Sequence, residues 1–148
     1  MKNTHFLLAR EESEVRKTFL GAFVAHIDGA KAASIKDFHE AIAAAMHFPD
    51  YSGKNLDALD EMLNDLEWIA EKKVIIYIAN SGEWLSREKS EEKLLTVIDI
   101  FDATAEDWKW LDEEEEGVAK KELQIVFQDS PRIRTLLEDQ EIPFDTLD

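Results

Sequence analysis

Val74-Ile75-Ile76-Tyr77-Ile78-Ala79 is an unbroken apolar run set between the charged Glu71-Lys72-Lys73 and the Asn80-Ser81-Gly82 break. A strand exposed on one face alternates apolar with polar residues, whereas an uninterrupted β-branched and aromatic run suits a parallel strand covered on both faces. Upstream, Ala22 to Ile27 reads as a shorter strand ending at the Asp28-Gly29 turn, and downstream Leu123 to Phe127 reads as a third. Helical patterns fill the gaps between them. Strands separated by helices predict an α/β fold with a three-stranded parallel sheet packed by helices.

The helices carry their own punctuation. Ser34 is placed to cap a helix from Ile35 to Met46, whose stripe is Ile35, Phe38, Ile42 and Met46, and Pro49 stops the run. Residues 55 to 70 show a second stripe, Leu56, Leu59, Met62, Leu63 and Leu66. A third helix is expected over Ser90 to Thr104, followed by a long acidic loop or short helix from 105 to 117 that holds Trp108, Trp110 and the run Asp112 to Glu116. Ser130-Pro131 opens a last helix, with Ser130 at the cap and Pro131 in the first turn. The first 21 residues, including a charged amphipathic lead-in around 9 to 20, and residues 129–148 are expected as peripheral additions to one domain spanning 1–148. No internal repeat or flexible linker divides it.

Composition narrows the function. The 148 residues carry 33 acidic against 17 basic side chains, a net charge of −16, with no cysteine. That charge repels nucleic acid and anionic membranes and attracts basic partners. The absence of cysteine rules out a disulfide scaffold, a thiol nucleophile and a Cys-ligated metal, and it is compatible with a reducing cytoplasm. The four-residue apolar run Phe6 to Ala9 meets Arg10-Glu11-Glu12 too soon for a signal peptide or membrane span. A cytoplasmic, free-standing monomer is expected.

The helix at 55 to 70 is where charge becomes organised. Asn55 is placed to cap it, and Asp57 lies in the first turn, where a negative charge meets the helix dipole favourably. At about 100° per residue, Asp57, Asp60, Glu61, Asn64 and Asp65 share an arc of roughly 140° opposite the leucine stripe. Exposed helix faces usually place Lys or Arg one turn from each carboxylate, yet residues 55–71 contain no basic residue. Such a ridge is suited to meet something cationic, with Tyr51 beside it as a rigid aromatic contact.

The string Pro49-Asp50-Tyr51-Ser52-Gly53-Lys54-Asn55-Leu56-Asp57-Ala58-Leu59 resembles the segment of the barstar family that joins the first helix to the second. Ala25 to Gly29, Ser34 to His39 and Val97 to Phe101 extend the likeness, so that about residues 22–128 are covered. The resemblance implies a barstar-like sheet and an inhibitor that occludes the cationic active site of a basic nuclease, in the first place a ribonuclease toxin, as an immunity or antitoxin protein. It further implies that Tyr51 is the aromatic contact, Gly53 permits close approach, and Asp57 is an anionic anchor. Three positions, on two helices, depart from the family pattern. Its principal inhibitory aspartate falls at Glu61 and the neighbouring tryptophan at Asp60; its further glutamate on the fourth helix falls at Ala103, with Asp99 and Asp102 the acidic residues nearby to take its place.

Enzymatic readings find little support. His5, His26, His39 and His47 have no His-Glu-x-x-His spacing and no nucleophile motif beside them, and the five glycines form no phosphate loop. Asp57 and Glu61 lie on an exposed ridge rather than at converging strand ends, where α/β enzymes usually place paired carboxylates. A non-enzymatic binding protein without cofactor or metal is expected. The alternative within that class is an acidic interaction module that regulates a basic partner other than a nuclease.

Overall fold

The computed structural model describes residues 4–49, 55–111, 113 and 119–147. In chain order the elements are β1 (Phe6–Ala9), α1 (Glu12–Thr18), β2 (Phe23–Asp28), α2 (Ile35–Met46), α3 (Leu56–Leu63), β3 (Lys73–Ala79), α4 (Glu92–Trp110), β4 (Glu122–Gln128), α5 (Pro131–Asp139) and β5 (Asp145–Thr146). The fold is α/β, and among the described residues its sheet has five strands in the order β2-β3-β4-β1-β5, every neighbouring pair parallel.

The three expected strands are present as β2, β3 and β4, but the sheet is wider than the three strands the sequence suggested. The short run Phe6–Ala9 pairs with β4, Phe6 opposite Ile125 and Ala9 opposite Gln128, and β5 then pairs with β1. The N-terminal addition is therefore threaded into the sheet between β4 and β5. Physically, β1 closes what would otherwise be an open edge of β4, and all four of its residues are buried.

The unbroken apolar character of β3 follows from coverage on both faces. Val74, Ile76 and Ile78 point into a large core with Phe6, Leu8, Ile125 and Phe127, against side chains from α2, α3, α4 and α5. Ile75 and Tyr77 point the other way, into a smaller cluster with Leu7, Val126 and Val15 of α1. At the centre of the main core, the Trp84 ring stands 5.5 Å from Phe38, 6.5 Å from Phe101 and 5.6 Å from Phe127. Gly29 marks where β2 turns away beside β3: a Cβ there would lie 2.5 Å from the Asn80 carbonyl oxygen.

Two helices differ in length from expectation. The second stripe reads on to Leu66, but α3 ends at Leu63 and Leu66 takes a left-handed backbone, φ 55°, which keeps its side chain fully buried while the chain turns out of the helix. Conversely α4 runs on to Trp110, so residues 105–110, read as loop or short helix, are its last turns. Trp108 is 5% exposed and belongs to the core, whereas Trp110 is 72% exposed.

Candidate functional site

The capping logic of α3 is realised locally. The Asn55 side chain accepts a hydrogen bond from the Ala58 N–H at 2.8 Å, fixing the first turn. Leu59 and Leu63 are fully buried, and Leu56, Ala58 and Met62 are partly buried against the same core. With that face committed, Asp57, Asp60, Glu61, Asn64 and Asp65 are all exposed on the outside. Asn64 links to Asp60 by donating to its backbone oxygen at 2.8 Å and its carboxylate at 3.0 Å. Asp57, Asp60, Glu61 and Asp65 take part in no ion pair among the described residues. A solvated row of like charges thus stands on a rigid apolar base. Tyr51 and Gly53 lie outside the described residues.

The acidic residues of α4 divide between its two flanks. Lys93 and Thr96 line a hollow with Leu56 of α3, and steps of three and four residues carry that flank on through Ile100 and Ala103 to Asp107. At the far end the Trp108 indole N–H donates to the Leu63 carbonyl at 2.9 Å, tying this part of α4 to the end of α3. Asp102 belongs to the other flank. It borders a hollow of about 170 Å³ with Thr4, His5, Phe6, Glu106 and Pro143, and His5 pairs with Glu106 at 3.0 Å. Burial raises the Asp102 carboxyl above its ordinary range, and the Glu106 and Asp99 charges add to this against the pull of His5. Asp99, at a similar helical phase, is exposed on that side. The structure therefore gathers Asp57, Asp60, Glu61, Asn64 and Asp65, and sets Asp99 and Asp102 apart from them. The acidic residues on the α4 flank facing α3 are Glu92, which borders the hollow with Leu56, and Asp107, exposed and one turn beyond Ala103, a spacing visible in the sequence once the flank is known.

Beside the ridge, a hollow of about 570 Å³ separates the start of α3 from α2, with Ile35, His39, Asn55, Asp57 and Lys93 among its lining residues. Burial holds the His39 imidazole below its ordinary value, and the Lys93 charge lowers it further.

In open α/β sheets, ligands commonly sit outside the carboxyl ends of the strands. After β1 that position is taken by the protein itself: a Glu14 carboxylate oxygen accepts hydrogen bonds from the Arg10 N–H at 2.6 Å and the Glu11 N–H at 3.3 Å. Among the described residues no cluster of His, Asp and Glu is arranged to hold a metal, and no helix is long and apolar enough to cross a membrane.

Comparison with solved structures finds a likeness of fold. The chain is similar to the ORC2 protein of Aeropyrum pernix, solved as ADPNP–ADP complexes, at 12% identity and TM-score 0.56, covering 99% of this chain and 42% of that one. It is also similar to Cdc6p of Pyrobaculum aerophilum at 15% identity and TM-score 0.48, covering 97% of this chain and 38% of that one. The chain thus spans less than half the length of these structures, and at 12% identity the likeness to the first is one of fold alone. No curated protein matches it. Residues 22–128, which run from the start of β2 to the end of β4 and include α3 and its acidic ridge, match the family described as Barstar (barnase inhibitor). The chain belongs to the barstar family.

Proposed function

We propose that this chain is a cytoplasmic immunity protein that inhibits a barnase-like ribonuclease by seating the acidic face of α3 and its preceding loop in the enzyme's cationic active site. Barstar-family inhibitors are non-enzymatic, and inhibition here is occlusion with charge mimicry. Carboxylates of Asp57, Asp60, Glu61 and Asp65 take the places of substrate phosphates and pair with the Arg, Lys and His groups an RNA-cleaving enzyme needs for its charged transition state.

The observation that carries this reading is the row of exposed carboxylates on α3, without ion pairs among the described residues, on a helix whose other face is fixed in the core. Carboxylates held ready on a rigid base lose little freedom on binding, and every charge remains available to a partner. Tyr51 and Gly53 complete the proposed contact, with Asp107 flanking it; Asp99 and Asp102 form a more distant acidic edge. Glu61, one methylene longer than the family's aspartate, selects a partner whose guanidinium or ammonium sits correspondingly further out.

Titration of barnase and other basic ribonucleases with the chain tests the proposal. RNA cleavage falling to zero at a one-to-one ratio for at least one of them is the expected result. A set of enzymes unaffected at excess inhibitor, together with binding to a basic protein that cleaves no RNA, would transfer the function to a regulatory module of another kind.

A further inference from the structure

From Asn55 to Glu71 the chain has no basic side chain, so the carboxylates of α3 and of the segment after it repel one another with nothing nearby in sequence to offset them. The helix itself has only eight residues, too few to be stable by its own hydrogen bonds. A restraint on this stretch arrives from the later part of the chain. Lys121, at the foot of β4, is 6% exposed, and its ammonium donates to the Glu71 carbonyl at 2.8 Å and also to the Ile69 carbonyl. No carboxylate pairs with it among the described residues. A buried donor satisfied by two carbonyls of one segment holds that stretch of backbone in place.

Two indoles act on the same stretch. Trp108 donates to the Leu63 carbonyl and Trp68 to the Met46 carbonyl, each at 2.9 Å. The end of α2, the end of α3 and the segment leading to β3 are thus each held by a side-chain donor reaching a backbone acceptor.

We propose that Lys121 is a positioning residue for the acidic ridge: its buried ammonium clamps, through the Ile69 and Glu71 carbonyls, the segment that follows α3, and so restrains a short helix whose carboxylates repel one another. The partner-binding consequence rests on the inhibitor reading, whereas the clamp itself does not. Lys121→Met keeps the stem and removes charge and donors; Lys121→Arg keeps both. Trp108→Phe, which keeps an aromatic ring and removes the donor to Leu63, is the second variant should Lys121→Met fail to fold.

Hydrogen exchange read amide by amide and binding kinetics with barnase form the test. In Lys121→Met the amides between Leu63 and Glu71 should exchange about tenfold faster than those of β3 and β4 would predict. Barnase affinity should fall about tenfold as preorganisation is lost; Lys121→Arg should recover most of each change. A lower melting temperature with exchange between Leu63 and Glu71 and affinity both unchanged would make Lys121 an ordinary core residue and overturn the proposal. If barnase does not bind the unmodified chain, that partner is excluded, and exchange still decides the clamp.

Discussion

Asp57 and Glu61 stand one turn apart on α3, both exposed and both without an ion pair among the described residues. Removing either carboxylate strands a desolvated cation in the partner, so Asp57→Ala or Glu61→Ala should each weaken the complex by about 2 to 5 kcal/mol, the general range for close interfacial charge pairs, for which the barnase–barstar pair is itself a reference case. The melting temperature of the free chain should stay nearly constant, and calorimetric titration with the inhibited nuclease reads the difference. His39 gives a residue-scale effect on stability. Its imidazole is held below the ordinary 6.5 by burial and then by Lys93, so below that pH the unfolded chain takes up the proton first. The stability that His39 contributes is complete above 6.5 and lost as pH falls through the lower folded value. The melting temperature should decline on acidification from about pH 7 to about pH 5, and His39→Gln should flatten that slope. Glu12 and Asp28 act in a more acid window. At Glu12 burial raises the carboxyl, but the hydrogen bonds and charges of Arg16 and His26 together outweigh it; at Asp28 the Asn80 hydrogen bond dominates. Both are lowered, so their contributions disappear below the ordinary carboxylate range. At this scale the sequence revealed what depends on near neighbours: the Ser34, Asn55 and Ser130 side chains each accept a backbone N–H three residues on. Lys121 and Trp108 were illegible as supports because their acceptors lie 52 and 45 residues away.

At the scale of elements, α3 depends on its cap more than a long helix does, since few internal hydrogen bonds share the load. Asn55→Ala should cost about 1 kcal/mol of folding stability and Asn55→Asp close to none, a contrast that denaturant unfolding resolves. Periodicity located α2, α3, α4 and α5 because each has a committed apolar face. It overran α3 because Leu66 keeps the stripe's spacing while its backbone has already left the helix, φ 55°. It stopped α4 short because the charged residues around Trp108 read as solvent-facing, although Thr104, Ala105 and Trp108 continue the buried face. The strand β1 escaped notice because four apolar residues beside Arg10-Glu11-Glu12 carry no period, and β5, at two residues, gives no signal at all. Both exist because β4 offers them an edge, which is tertiary information. The acidic ridge was legible in full for the complementary reason: a helix with one apolar face fixes where its remaining residues point.

For the molecule as a whole, the net charge of −16 sets how a partner arrives. Opposite charge on the nuclease should make association fast at low ionic strength and progressively slower as salt is added, with dissociation much less affected, as stopped-flow measurement can show. A rate indifferent to salt would remove electrostatic steering while leaving the contact itself intact. The central claim is that the ridge silences a ribonuclease, and its most direct test is capture of the partner from the cells that make this chain, followed by release and assay of RNA cleavage before and after the chain is added back. The predicted result is a basic protein that degrades RNA when free and stops when the chain is restored at a one-to-one ratio. A captured basic protein that cleaves no RNA in either state would contradict it.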